Sequence, residues 1–177
     1  MTATRASSPR NAAILTDLLR QFSTAAVVFH HAIAERLGLG PTDHKCFDLL
    51  RQRGPLTGSD VAALTGLTTG AITGVVNRLE SAGFVSREPD PDDGRRQFLR
   101  ASDTGIARLR EVFEPIHRDA AALLEGFDGH QRQAIADFLQ RSADFALRRA
   151  AMLRTEATLA AQPGMLVPAR VRKRRKS

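Results

Sequence analysis

Leu67-Thr68-Thr69-Gly70-Ala71-Ile72-Thr73-Gly74-Val75-Val76-Asn77-Arg78-Leu79-Glu80-Ser81-Ala82-Gly83-Phe84-Val85 changes its periodicity twice, and those changes set the fold class. Thr68 is a side-chain N-cap, with Leu67 and Ile72 at the two positions of a hydrophobic staple. Ile72, Val75, Val76 and Leu79 then recur at helical spacing and form one apolar face. The helix ends at Ser81-Ala82-Gly83, where glycine stands in the place of a C-terminal cap. After Gly83 the period becomes that of a strand. Phe84-Val85-Ser86-Arg87-Glu88 and Gln97-Phe98-Leu99-Arg100 read as two short strands around the turn-rich Pro89-Asp90-Pro91-Asp92-Asp93-Gly94.

Upstream, Thr57-Gly58-Ser59-Asp60 matches a capping box and starts a brief helix with Val61, Ala62 and Leu64 inside, broken at Thr65-Gly66. Before it, Thr42 or Asp43 is expected to cap a helix carrying Cys46, Phe47, Leu49 and Leu50. That helix ends near Arg53-Gly54, ahead of a short extended step at Pro55-Leu56. Two short helices joined by a glycine turn and followed by a hairpin form the layout of a winged helix-turn-helix, in which one element reads the DNA major groove. The outward residues Thr68, Thr69, Thr73, Asn77 and Arg78 carry hydroxyls, an amide and a guanidinium, groups suited to phosphates and base edges. Gly70 and Gly74 lack side chains and let the backbone approach the duplex. Thr57 and Ser59 join the candidate DNA contacts. So do Arg95 and Arg96 at the wing tip, an arginine pair suited to phosphates and narrow minor grooves. Asp92 and Asp93 are expected to brace a wing arginine.

Residues 12–155 resemble the MarR (multiple antibiotic resistance regulator) family of bacterial transcription factors, most closely over Leu64 to Gly105. Leu67–Val85 is similar to that family's recognition helix and wing entry, and Asp90-Pro91-Asp92-Asp93-Gly94-Arg95-Arg96 resembles its wing signature. The family loop more often reads Asp-x-x-Asp-Arg-Arg, so Gly94 is an insertion, and Gly74 stands where members frequently carry arginine. The resemblance implies a homodimer of interlocked first, fifth and sixth helices, with two winged modules on a pseudo-palindromic double-stranded DNA operator. It implies a transcriptional regulator, with repression the first expectation, and a small-molecule effector between the dimerisation helices and the DNA-reading lobe. An aromatic acid, a lipophilic compound or no ligand at all remain open for a chain without tyrosine or tryptophan.

The flanking sequence agrees. From Asn11 to Leu37, Ile14, Leu15, Leu18, Leu19, Phe22, Phe29, Ile33 and Leu37 recur at three- and four-residue steps, stopping at Gly38-Leu39-Gly40-Pro41. Ser102 caps a further helix with a narrow stripe running from Ile106 to Phe127, which Pro115 is expected to kink or divide. A last helix follows Gly126–Gly129 and ends before Pro163. These stripes offer more apolar surface than a module of this size can cover alone, and dimerisation would bury it. The expected organisation is a flexible N-terminus (1–10), a dimerisation helix (11–40), the winged helix-turn-helix module (41–101), C-terminal dimerisation helices (102–160) and a disordered basic tail (161–177).

Composition sets the remaining bounds. Hydrophobic residues make up 42% and charged residues 25%, an ordinary globular balance, and no apolar run reaches the ~18 residues of a membrane span. Met1–Pro9 lacks the apolar core of a secretory signal, and the single cysteine cannot form an intrachain disulfide, so a cytoplasmic protein without membrane partners is expected. The net charge of +7 is concentrated at the end: Arg170, Arg172, Lys173, Arg174, Arg175 and Lys176 contribute +6, leaving +1 for the body. This tail keeps a nonspecific, nucleoid-type DNA binder open as an alternative, beside a winged-helix protein-interaction module. An enzyme is not expected. His30, His31, His44, His117 and His130 lack the paired spacing of a zinc site, no phosphate-cradling loop or serine elbow is present, and no cofactor or metal is implied. Cys46 reads first as core packing, with redox sensing the sharper option. His44 and Cys46 are the candidates for a redox or ligand-pocket role.

Overall fold

The computed structural model describes residues 9–93 and 96–160. Expectations for residues 1–8, for Gly94 and Arg95, and for the basic tail at 161–177 lie outside the described residues. The chain divides into two compact units between Leu123 and Leu124.

In the first unit, α1 (Pro9–Leu37) precedes α2 (Pro41–Arg53), β1 (Leu56–Thr57), α3 (Gly58–Thr65), α4 (Thr69–Ser81), β2 (Val85–Pro89), β3 (Gln97–Ala101) and α5 (Asp103–Ala122). Its core gathers the C-terminal end of α1 (Ile33, Leu37), Phe47 and Leu50 of α2, Val61 of α3 and the expected inner face of α4. Phe84, Val85 and Leu99 from the wing and Leu109 of α5 complete it. Burial follows the two periods read from sequence: every three or four residues along α4, every second residue along β3, where Leu99 and Ala101 are buried and Arg100 is exposed.

Three boundaries depend on more than local pattern. α2 begins at Pro41 with Gly40 as N-cap and no side-chain cap bond, so neither Thr42 nor Asp43 caps it. Proline needs no N–H at the first helical position, and there its fixed φ suits the turn. Leu56–Thr57 forms a strand as well as an extended step. It pairs antiparallel with β3, Leu56 opposite Leu99, and turns the expected two-stranded wing into a sheet of order β1-β3-β2. β2 pairs with β3 from Val85↔Ala101 to Pro89↔Gln97. Finally, α5 runs as one element through Pro115 instead of dividing there, and ends at Ala122.

Helix ends are closed as the sequence indicates. Thr57 and Asp60 form a reciprocal capping box, the Thr68 hydroxyl accepts from the Ala71 N–H at 3.2 Å, and that of Ser102 accepts from Gly105 at 2.9 Å. Gly83, at φ +76°, lets the Phe84 N–H fold back onto the Leu79 carbonyl at 2.8 Å.

In the second unit, α6 (Gly129–Ala160) opens on a second reciprocal box that the sequence reading missed. The Asp128 carboxylate accepts from the Gln131 N–H, and the Gln131 amide oxygen accepts from the Asp128 N–H, both at 2.9 Å. Phe138, Leu139, Phe145, Met152 and Leu153 of α6 are exposed, as are Ile14, Leu15, Leu18 and Phe22 of α1. No single helix among the described residues is long and apolar enough to cross a membrane.

Phe47 is fully buried, so Phe47→Ala should cost about 3–5 kcal/mol in denaturant unfolding. A Cβ on Gly105 would lie 2.8 Å from the Phe84 backbone, where no rotamer change relieves the clash. Gly105→Ala should therefore destabilise by roughly 1–3 kcal/mol in the same assay, despite alanine's better helix propensity.

Candidate nucleic-acid interface

α3 and α4 are separated by Gly66-Leu67-Thr68, and the chain bends by 113° between them. Gly66 permits the bend at φ +77°, its N–H closing α3 on the Ala62 carbonyl, while Thr68 starts α4 at once. Burial of Ile72, Val75, Val76 and Leu79 then leaves Thr68, Thr69, Gly70, Thr73, Asn77 and Arg78 on the exposed side. A Cβ at Gly70 would meet nothing within 4 Å, so the protein's own packing does not demand glycine there.

Two exposed residues of α4 are held by neighbours. The Asn77 amide oxygen accepts from Arg87 of β2, and the Arg87 Nε lies 3.1 Å from the Glu80 carboxylate, tying the recognition helix to the wing strand. Sequence reasoning passed over Arg87, whose alternation along β2 signalled only a solvent-facing side chain. Arg78 donates from Nε and Nη2 to the two carboxylate oxygens of Asp43 on α2, at 2.8 and 2.7 Å.

The wing has a brace at Asp90 that the sequence reading did not name. Asp90, buried at the start of the loop, grips the described arginine: its Oδ2 is 3.7 Å from Arg96 Nη1. Asp90 Oδ1 also accepts from the Asp92 N–H at 2.9 Å. The Asp93 carbonyl accepts from the Arg96 N–H at 2.8 Å. Arg96 also lies over the Phe98 ring, 5.9 Å from its centroid.

Thr57 and Ser59 separate. Ser59 is exposed at the first turn of α3, whereas Thr57 is buried and its hydroxyl both donates to and accepts from Asp60. Thr57 is therefore a capping residue, with its hydroxyl committed to Asp60. Its hydroxyl and N–H hold the Asp60 carboxyl below the usual carboxylate range, with a further contribution from Arg96.

Cys46 is 2% exposed, and burial, reinforced by the nearby Asp43 charge, pushes its thiol up to about 11. So enclosed a thiol is a core group in this structure, without the depressed pKa of an activated cysteine. His44, also fully buried, stacks at 5.6 Å on His30 of α1, which contacts Phe29, itself edge-on to Phe113 of α5. His44 Nε2 and His30 Nδ1 have no hydrogen-bond partner among the described residues. Burial lowers both imidazoles below their ordinary value of 6.5, with Lys45 adding to it at His30. Among the described residues no group of three or more histidine, cysteine or acidic side chains could hold a metal ion.

The MarR family model matches residues 39–96, the segment that builds α2, the helix-turn-helix, β2 and the wing loop. The HTH-type transcriptional regulator YcgE of Bacillus subtilis is 37% identical over 128 residues, spanning 72% of this chain and 83% of its own length. This chain belongs to the MarR family. It is a DNA-binding transcriptional regulator and not an enzyme. A MarR family protein from Bacillus stearothermophilus shares the fold at a TM-score of 0.63 and 24% identity, over 80% of this chain and 99% of that one. The crystal structure of MarR itself aligns at 0.53 and 24%, over 76% and 98%.

Two outcomes follow for the buried groups. The unfolded chain takes up protons at its histidines near pH 6.5, while the folded chain resists until lower pH, so stability is full above that value and falls as the pH drops. The melting temperature should decline between pH 7.5 and 5.5, and less steeply in His44→Gln. Cys46 should resist thiol reagents at pH 8 in the native protein and react at once in denaturant.

Proposed function

We propose that this regulator is a homodimeric repressor that binds a pseudo-palindromic operator, with α4 of each copy in the major groove and the wing arginines beside the flanking backbone. The observation that carries the proposal is the outward face of α4. Three threonine hydroxyls and the Asn77 amide surround two glycines at a helix-turn-helix bend, small polar groups where a duplex must come close. Ser59 and Arg96 lie on the elements next to α4 in the chain, α3 and the wing loop.

Dimerisation is supported by the apolar residues that α1 leaves in solvent, with Phe22 62% exposed, and by the like residues of α6. We assign residues 11–40 and 102–160 to that interface and 41–101 to DNA. A dimer seated on a promoter-proximal operator would exclude polymerase, which is why repression is the mode proposed, in the cytoplasm. The unpartnered His44 nitrogen beside His30, Phe29 and Phe113 supports a small-effector site at the α1–α2–α5 junction, with both polar and aromatic lining.

The test is an anisotropy titration of the purified chain against its own upstream intergenic DNA, with unrelated competitor and varied salt. Operator binding should exceed nonspecific binding by ~10³-fold or more. Asn77→Ala with Thr73→Ala should remove most of that margin. Equal affinity for every duplex, abolished by deleting residues 168–177, would assign binding to the tail and sink the operator proposal. Sedimentation should give twice the 19.3 kDa chain mass, shifting toward monomer in Phe22→Asp.

A further inference from the structure

We infer that Asp43 is a specificity-positioning residue: from α2 it holds the Arg78 guanidinium side-on, so that the remaining end-on fork is presented to a guanine in each operator half-site. This inference rests on α4 entering the major groove, as proposed above, and adds which residue reads a base and what aims it.

The geometry has three parts. Asp43 is 5% exposed and fixed in the first turn of α2, and it takes Nε and one Nη2 hydrogen of Arg78 at 2.8 and 2.7 Å. A guanidinium has five N–H groups in one plane, so one Nη1 hydrogen and the outer Nη2 hydrogen remain as a second fork, on the edge adjoining the one that the carboxylate takes. The Arg78 side chain is 60% exposed, so that edge is open to a ligand. Finally, a Cβ on Gly74 would stand 3.4 Å from Arg78 Nη1. The fork therefore lies back over Gly74, on the same face as Gly70 and Asn77 by their i, i+4, i+7 spacing. Glycine at 74 clears the space that the guanidinium crosses.

Charge decides between a base and a phosphate as the target. Phosphate contacts draw on net positive charge, and the Asp43 carboxylate has cancelled that of Arg78 at contact distance. What survives is direction: two parallel donors that match the O6 and N7 acceptors of guanine. Because the side chain is already clamped, binding removes little further rotamer freedom.

The experiment is selection of half-sites from a pool of randomised duplexes by the full chain, followed by titration of the selected duplex and each single G·C to A·T swap. The wild-type chain should select one G·C pair per half-site and bind the swap at that pair at least ten-fold more weakly. Arg78→Ala, Arg78→Lys and Asp43→Asn should each lose that preference while keeping the preferences at other positions and the salt slope. Asp48→Asn, whose carboxylate serves Arg51 and Gln52 within α2, should keep it. Arg78→Lys retains the charge and removes the fork, so it tests the idea even if Asp43→Asn does not fold. Unchanged base preferences in Arg78→Ala, or uniform weakening with a salt slope smaller by about one, would make Arg78 a phosphate or purely structural group and overturn the inference. A wild-type chain that selects no sequence would overturn the operator proposal itself.

Discussion

Phe84 occupies the point where the end of α4, the start of the wing, α2 and α5 converge, and its burial is the constraint on which the DNA-reading lobe depends. Its ring is fully buried, edge-on to Phe47 at 5.1 Å, and it lies under the Arg108 guanidinium at 4.3 Å. Its backbone is equally committed: the N–H closes α4 on Leu79, and the carbonyl accepts from the Ser102 N–H at the entry to α5. Arg108 extends this junction by donating to the carbonyls of Ala82 and Leu37, at the C-terminal ends of α4 and α1. A single side chain therefore fixes where the recognition helix stops and the wing begins.

From that anchor the polar links run outward along α4. Asp43 holds Arg78 from α2, Arg87 holds Asn77 from β2, and Asp90 holds Arg96 at the wing. In each case a group on one element restrains an exposed side chain on another or at the far side of a loop. Short threonines need no such restraint, since they have few rotamers. Arginine and asparagine do, because long or amide side chains left free would have to be ordered by the operator itself.

The apolar stripes of α1 and α6 raise the opposite issue. They are helices whose hydrophobic faces the chain itself leaves in water, alongside a lobe whose core is well filled. The division of labour is visible in α1, whose C-terminal residues Ile33 and Leu37 are buried in the lobe while Ile14, Leu18 and Phe22 are not. One helix thus serves the lobe at one end and presents an apolar face at the other.

Local pattern was enough for much of this protein. The helices, three of the side-chain caps, the inner face of α4 and the glycine stop before Phe84 depend on spacing and on cap chemistry within a few residues, and these the sequence carries by itself. The polar outer face of α4 was legible for the same reason, as the complement of the apolar one. Only the tertiary structure decided the pairing of Leu56–Thr57 with β3, the continuity of α5 through Pro115, and the partners of Arg78, Asn77 and Arg96. Asp43 and Arg78 are 35 residues apart, and no periodicity links them. The burial of Thr57 and Cys46 belongs with these, because exposure depends on what packs above a residue, and that is supplied by chain distant in sequence.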